Sequence, residues 1–156
     1  MAKRQAKASS IVDLLIEAYN AEIETVMNYI ANSVNLDGVR AEQIKASLAA
    51  DIPAELGHAQ TLARRIKTIG GCVPGSLALK WSQRGMQPPA KSTDVVSVIK
   101  GVIAAEEDAI EIYTAIIKAC EGVDYVTQEM AITILADEQE HRREFVGFLT
   151  EYQTSR

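Results

Sequence analysis

Glu55-Leu56-Gly57-His58 and its counterpart Glu138-Gln139-Glu140-His141 place a glutamate three residues before each of the two histidines of this chain. On an α-helix, residues three apart project from neighbouring points of one face, so a carboxylate and an imidazole at this spacing can reach the same ligand. The spacing therefore predicts that both stretches are helical and that each presents a Glu-His pair on one face.

The two Glu-x-x-His stretches belong to a longer repeat. Glu22 precedes Glu55 by 33 residues and Glu106 precedes Glu138 by 32, and both of the earlier glutamates lie in strongly apolar stretches. The chain therefore looks like two copies of one helical hairpin, each with a Glu followed by a Glu-x-x-His pair. If the helices begin near residues 10, 39, 93 and 124, the four glutamates lie near the middle of their helices and meet at one height.

Apolar residues at helical spacing predict four long helices. The composition, with 47% hydrophobic and 5% aromatic residues, favours an all-α fold. The first helix is expected to run from an N-cap at Ser9 or Ser10 to about Asn35, and the others over residues 39–69, 93–120 and 124 almost to the C-terminus. Pro53 lies inside the second helix and predicts a kink just before Glu55.

Residues 70–92 hold too many glycines and prolines for a continuous helix. The short connections elsewhere imply two antiparallel hairpins, so this segment is predicted to be a long crossover in a four-helix bundle. Its apolar residues Leu77, Leu79 and Trp81 are expected to lie against the bundle or against a neighbouring subunit. We expect one domain over residues 10–154, preceded by a flexible basic tail over residues 1–9.

The charge, the cysteines and the search for targeting signals indicate which partners and which location to expect. The net charge of −5 argues against general nucleic-acid affinity, which depends on neutralising phosphates, so Lys3, Arg4 and Lys7 are read as a solvated tail and DNA contact is not favoured. Cys72 and Cys120 match neither a CxxC redox pair nor a zinc framework, and whether they pair is open. The absence of a secretory signal and of an 18-residue apolar run predicts a cytoplasmic protein without a membrane segment.

Four glutamates inside a bundle need compensation of their charge. Burying four carboxylates without cations would be very costly. Two divalent cations, bound together with two neutral imidazoles, bring the total charge to zero. Carboxylates and imidazoles without thiolate suit iron, with manganese as an alternative, better than structural zinc. Glu107 competes with Glu106, although Glu106 fills the gap in the apolar stripe of its helix. The predicted metal ligands are Glu22, Glu55, His58, Glu106, Glu138 and His141.

The chain is similar over most of its length to the ferritin-like superfamily, especially bacterioferritin and the bacterioferritin-like Dps proteins. The matching stretches are Ala21-Glu22-Ile23, Asn28-Tyr29, Glu55-Leu56-Gly57-His58-Ala59, Glu106 with Ala109-Ile110 and Tyr113, and Asp137-Glu138-Gln139-Glu140-His141. The resemblance implies a ferritin-like bundle and a di-iron site with Glu22 and Glu106 as terminal ligands, Glu55 and Glu138 as bridging ligands, and one histidine for each iron. It also implies that Tyr29 lies near the irons. Tyr113 is a further candidate for a residue near the irons.

The resemblance implies a ferroxidase that oxidises Fe(II) with O2 or peroxide for iron storage or detoxification. One alternative is a di-iron or di-manganese oxidase, or a peroxide-scavenging enzyme, that stores no iron. Another is a DNA-protecting or purely structural bundle. Leu56 stands where bacterioferritin has a haem-binding methionine, so no haem is expected there. Only 15 residues follow His141, too few for the fifth helix of large ferritin cages, so we expect a homo-oligomer that is a dimer or a Dps-like cage.

Overall fold

Four α-helices form the computed structural model, which describes residues 2–154 and the side chains of residues 11–154. The helices are α1 (Ala2–Asn35), α2 (Glu42–Thr68), α3 (Val95–Cys120) and α4 (Tyr125–Thr154). α1 packs mainly against α2, and α3 packs mainly against α4. No strand occurs among the described residues. The prediction of an all-α bundle made of two helical hairpins is therefore confirmed.

The ends of the helices follow local capping signals. Asp94 and Asp124 each precede a helix and accept a hydrogen bond from a backbone N–H three residues later, at 3.2 Å and 3.0 Å respectively. Gly122 follows α3 with a φ of 66°, a left-handed conformation that favours glycine. Apart from the start of α1, the observed helix bounds lie within about three residues of the predicted ones, which is the usual uncertainty of helix ends.

α1 begins earlier than predicted. The sequence pattern predicts an N-cap at Ser9 or Ser10, whereas the helix starts at Ala2. The reason is the composition of residues 2–8, because Ala, Lys, Arg and Gln are good helix formers and neither Gly nor Pro interrupts them. Residues 2–9 thus continue the helix. Their flexibility stays a prediction, and their basic side chains lie outside the described part of the chain.

The buried apolar residues form two clusters, one toward each end of the bundle. One cluster joins the C-terminal part of α1 to the starts of α2 and α3 and to the end of α4, through Tyr29, Leu36, Ile44, Leu48, Ile99 and Phe145. The other joins the opposite ends of the helices, through Ile11, Leu15, Leu62, Ile66, Ile116 and Ile134. Close packing on both sides fixes the relative heights of the four helices. The segments between the clusters, which carry the four predicted glutamate ligands, are thereby held at one level.

The crossover, residues 69–94, runs beside α1 in the same direction as that helix. It includes two short 3₁₀ helices, Ser76–Ala78 and Arg84–Met86. Side chains of α1 form hydrogen bonds with the crossover backbone in chain order, in the pairs Asn20 and Lys80 (2.7 Å), Glu24 and Ser82 (2.8 Å), and Asn32 and Met86 (2.7 Å). Because successive parts of the crossover meet successive turns of α1, the segment runs along the bundle, as predicted.

Two apolar residues of the crossover do not pack against the bundle. Leu77 is 103% exposed and Trp81 is 52% exposed, while Leu79 is half-buried. The expectation of packing against the bundle is therefore wrong for Leu77 and Trp81. Next to Trp81 the crossover is attached to α1 through backbone groups of Lys80 and Ser82, so these contacts do not require the side chains of Leu77 and Trp81 to face the bundle. The alternative, contact with a neighbouring subunit, stays a prediction.

Three smaller expectations concern Pro53, the cysteines and membrane segments. α2 continues through Pro53 as one helix, and the predicted kink stays a prediction. No disulfide joins Cys72, which is exposed, to Cys120, which is buried. Within residues 2–154, none of the helices has the length and apolar character needed to cross a membrane.

Candidate metal centre

The six predicted ligands lie together at the middle of the bundle, between the two apolar clusters. The four glutamates and His58 are between 1% and 8% exposed. The side chain of His141 is 13% exposed. Glu106 points into the centre, whereas Glu107 lies at the surface beside Arg142, with 2.7 Å between the nearest charged atoms. The expected helix register, with Glu106 inward and Glu107 outward, is therefore observed.

The side chains form two overlapping sets, each with ligand atoms within 4.8 Å of one another. One set contains Glu22 and His58 and the other contains Glu106 and His141, and both include Glu55 and Glu138. Two cations bound by these sets would share Glu55 and Glu138. This placement supports the assignment of these two glutamates as bridging ligands and of Glu22 and Glu106 as terminal ligands, an arrangement found in di-iron and di-manganese helical bundles.

The two sets correspond to each other contact by contact. His58 Nδ1 lies 3.0 Å from a Glu138 oxygen, and His141 Nδ1 lies 3.0 Å from a Glu55 oxygen. His58 Nδ1 lies 3.7 Å from the nearest oxygen of Glu22, and His141 Nδ1 lies 3.9 Å from that of Glu106. The repeat seen in the sequence is thus an approximate twofold symmetry of the centre.

Several polar atoms of the centre are buried without a hydrogen-bond partner. They are an oxygen each of Glu55, Glu106 and Glu138 and the Nδ1 atoms of both histidines. The short Nδ1-to-carboxylate contacts do not have hydrogen-bond geometry, although their distances would allow it. Buried polar atoms are normally paired, so their convergence indicates a shared ligand. Carboxylate and imidazole donors fit a pair of iron or manganese ions.

Burial and mutual repulsion shift the pKa values of the carboxyl groups. Burial raises the pKa of Glu22 well above its usual value, and burial together with Glu138 raises that of Glu106. Burial also acts on Glu55 and Glu138, but the close contacts with the imidazoles of His141 and His58 outweigh it and lower both pKa values. The glutamates shared by the two sets are therefore the ones held in the charged form.

The same interactions act on the histidines in the opposite direction. Burial lowers the pKa of His141, but Glu138 and Glu55 outweigh burial and raise it to about 11. The pKa of His58 is raised further by Glu138, Glu22 and Glu55, again against the effect of burial. In the protein alone the imidazoles are thus cations that balance the carboxylates, which is the role that metal ions would take.

Two tyrosines hold the terminal carboxylates. Tyr29 of α1 donates a hydrogen bond to Glu106 of α3 at 2.7 Å, and Tyr113 of α3 donates one to Glu22 of α1. Both rings are fully buried. Burial, together with the neighbouring carboxylates, raises the pKa of both phenols well above 10, so they remain donors at neutral pH. Tyr29 and Tyr113 thus lie beside the centre, as expected, and hold the carboxylates of Glu106 and Glu22 in place.

Two acidic residues with specific contacts were missed by the sequence analysis. Asp137 Oδ2 lies 3.1 Å from Nε2 of His58, the ring nitrogen that faces away from the centre. Glu24 is 4% exposed and accepts hydrogen bonds from the backbone N–H groups of Ser82 and Gln83. Asp137 adjoins a predicted ligand, which is a usable signal. Glu24 has no such signal, because its partners belong to the distant crossover.

A small cavity adjoins the carboxylates on the side of α1 and α3. It has a volume of about 10 Å³, enough for about one water molecule, and Glu22, Glu55, Glu106 and Glu138 line it. A groove of about 680 Å³ lies outside it, between α1, the crossover and α3. Ala21, Gln83, Ala105 and Ile112 line both spaces. These four residues therefore separate the centre from the outer groove.

Comparison with known proteins agrees with this geometry. Residues 12–155 match the family described as Ferritin-like domain. A DNA protection during starvation protein of Pyrococcus furiosus is 30% identical over 143 residues, covering 90% of this chain and 77% of that protein. A bacterioferritin of Desulfovibrio desulfuricans is 28% identical over 142 residues, covering 88% and 73%. The solved bacterioferritin-related protein of Bacteroides fragilis, described as a dodecameric thioferritin, has a TM-score of 0.84 at 27% identity, covering 96% of this chain and 91% of that one.

The fold and the centre define the class of helical bundles that enclose paired carboxylate and histidine ligands. The family match extends over nearly the whole bundle. The chain belongs to the ferritin-like family.

Proposed function

We propose that this protein oxidises Fe(II) at the paired site, for iron storage or detoxification. The observation that carries the proposal is the pair of ligand sets that share Glu55 and Glu138. Such a pair holds two ions close together, as a two-electron reaction with one oxidant requires. Relatives named bacterioferritin and thioferritin support iron as the substrate metal, with manganese as the alternative. The proposed ligands are those predicted from the sequence.

The chemistry follows from the donor set. Each of two Fe(II) ions gives up one electron, and O2 takes both electrons with two protons to form hydrogen peroxide. With peroxide as the oxidant, the same two electrons and two protons yield water. Anionic carboxylates favour the higher charge of the Fe(III) product. Tyr29 and Tyr113 hold Glu106 and Glu22 in place during this change of charge.

The storage role additionally requires assembly into a shell. The Bacteroides fragilis relative is described as dodecameric, which supports a homo-oligomer for this chain. The exposed Leu77 and Trp81 supply apolar surface of the kind that subunit contacts cover. We therefore propose a homo-oligomer, either a Dps-like cage or a dimer. Its location in the cytoplasm stays a prediction.

An oxidase that stores no iron is the second candidate. One observation favours this second candidate. Both ligand sets are formed within a single chain, so oxidation alone does not require a shell. The mass of the native particle distinguishes the two functions, because storage needs a hollow assembly. A dimer would favour the non-storing oxidase.

The proposed function is tested by measuring Fe(II) oxidation in variants of the centre. Glu22→Ala and His141→Ala each remove one ligand, and rapid oxidation should fall to the rate of Fe(II) without protein, since the ion pair is no longer held. Stopped-flow absorbance after mixing anaerobically loaded protein with O2 measures this rate. Circular dichroism checks that the bundle remains helical.

Glu107→Ala is the matched control. It removes a carboxylate of α3 adjacent to Glu106, but one whose side chain is 52% exposed and outside the centre. Its oxidation rate should equal that of the unmodified protein. Unchanged oxidation in Glu22→Ala and His141→Ala would refute the assignment of the site.

A further inference from the structure

One contact of the metal centre has no counterpart in the other half. His58 Nε2 lies 3.1 Å from Asp137 Oδ2, with the carboxylate behind the ring as seen from the centre. The other close contacts of His58, with Glu22, Glu55 and Glu138, each have an equivalent at His141. The approximate twofold symmetry is therefore broken behind the histidines.

The sequence repeat shows the origin of this difference. Asp137 directly precedes Glu138, and the residue in the same place before Glu55 is Ala54. An alanine offers no acceptor to His141. Among the side chains that the structure describes, His141 has carboxylate contacts within 4.0 Å only with Glu55, Glu106 and Glu138, and Nδ1 is the closest ring nitrogen in each. Asp137 itself is half exposed, and Ala54 is exposed, so neither position is required for the core.

A carboxylate behind a ligating histidine strengthens its bond to a metal. By accepting a hydrogen bond from Nε2–H, it fixes the tautomer that leaves Nδ1 free to bind, and it fixes the plane of the ring. It also increases the electron density on Nδ1. Loss of such a partner typically lowers metal affinity by about 10- to 100-fold. His58 has this support from Asp137, whereas position 54, the equivalent position behind His141, is an alanine.

We propose that the two metal positions are unequal and that Asp137 makes the position next to His58 the first to fill. Asp137 is thus a positioning residue, which acts on the metal through His58. The inference rests on the proposed function only in that the centre binds a pair of divalent cations. It adds an order of loading: one cation is bound by Glu22, His58 and the shared glutamates before the second is bound beside Glu106 and His141.

Asp51 is a competing partner for His141. It lies one turn before Glu55 on α2, and its Oδ2 is buried without a hydrogen-bond partner. A rotation of its side chain on metal binding would give His141 the support that Asp137 gives His58. The experiment therefore includes Asp51→Asn, which separates this arrangement from the one proposed.

The first measurement uses Co2+ under anaerobic conditions, with the full-length protein. Crystals grown with one equivalent of Co2+ per chain should show a stronger anomalous peak beside His58 than beside His141. A titration followed by the visible absorbance of Co2+ gives the two stepwise affinities. Oxidation activity is not needed for either readout. Identical positions would still give unequal stepwise constants, so the comparison is made between variants.

Asp137→Asn and Ala54→Asp test the inference in opposite directions. Asp137→Asn should weaken the first binding step by about 10-fold and even out the two anomalous peaks. Ala54→Asp places a carboxylate in the equivalent position behind His141 and should tighten the second step. The double variant should reverse the order, with the larger peak beside His141. Asp51→Asn should leave both steps unchanged.

Equal peaks in the unmodified protein, or stepwise affinities unmoved by Asp137→Asn and Ala54→Asp, would overturn the inference while leaving the proposed function intact. A weakened second step in Asp51→Asn would also overturn it, because His141 would then have its own partner. Absence of any Co2+ or Fe(II) pair in the centre would overturn both. Thermal melts of the metal-free variants show whether each remains folded.

Discussion

The protonation of His141 and His58 affects both metal binding and the stability of the metal-free protein. In the metal-free protein both imidazoles are held as cations by Glu55 and Glu138, with the pKa of His141 raised to about 11. A metal ion binds only the neutral imidazole, so loading must displace these protons. Rising pH therefore favours metal binding, while it removes the charge that stabilises the metal-free bundle.

The stability of the metal-free protein should fall as pH rises from about 7 to 9. The folded pKa of His141 exceeds its unfolded value of 6.5, so its contribution is complete below 6.5 and is lost as pH rises toward 11. Within this window each such histidine lowers the free energy of unfolding by at most about 1.4 kcal/mol per pH unit, or roughly 3–6 °C in Tm. Thermal melts in a chelating buffer measure this slope.

The metal-loaded protein is the control for this pH dependence. Its histidines are already neutral, so its Tm should change much less over the same range. A metal-free Tm that is constant or rises from pH 7 to 9 would contradict the charge state assigned to His58 and His141.

At the residue scale, sequence spacing was sufficient to predict which six side chains converge, and insufficient to predict the residues that contact them. The two Glu-His pairs follow from helical spacing, because both members lie on one helix, and Glu22 and Glu106 follow from the repeat. The role of Asp137 depends on the approach of α4 to α2, and that of Glu24 on backbone N–H groups from residues 82 and 83. Contacts between elements far apart in the chain leave no periodic signal.

At the scale of elements, the contact between the crossover and α3 depends on two glycines. A Cβ on Gly101 would stand 2.0 Å from the carbonyl oxygen of Gly85, so the two backbones touch directly. The sequence predicted the helices from apolar periodicity and the crossover from its glycines and prolines. It predicted that the crossover runs along the bundle, but not that the crossover lies against α1 and Gly101 of α3, because this position is set by the glycine contact and by hydrogen bonds to α1.

Gly101→Ala should therefore destabilise the fold, although alanine is the better helix former. The added methyl group has to displace the crossover backbone, at a cost of about 1–3 kcal/mol. Chemical denaturation monitored by circular dichroism measures the change. The crossover carries Gln83, which lines the cavity beside the centre, so its displacement should also enlarge that cavity.

Gly147→Ala is the matched control, also within a helix but with nothing within 4 Å of the added Cβ. It should stabilise the protein by about 0.5–1 kcal/mol, through helix propensity alone. Equal effects of the two substitutions would show that the crossover does not rest on Gly101.

At the scale of the whole molecule, the question is which functions a single chain can perform and which require an assembly of chains. Both ligand sets lie within a single chain of 17.0 kDa. The exposed apolar residues Met27, Ile30 and Val34 recur at helical spacing on one face of α1. We therefore expect that a single bundle is sufficient for the proposed oxidation, whereas retention of the product requires contacts between bundles.

Ile30→Glu should separate these two functions. Ile30 is 48% exposed in the single chain, so the substitution leaves the core intact, but a glutamate buried without a partner between subunits would be costly. Light scattering should show a shift from an oligomer toward the monomer mass. The monomer should still bind two Co2+ and oxidise the first two Fe(II) per chain at the normal rate, yet release Fe(III) that precipitates.

Thr133→Glu, an exposed change of equal charge on α4, should leave the assembly intact. A folded Ile30→Glu monomer without oxidation would show that the centre depends on a second subunit, because all six ligands in one chain would then not be enough.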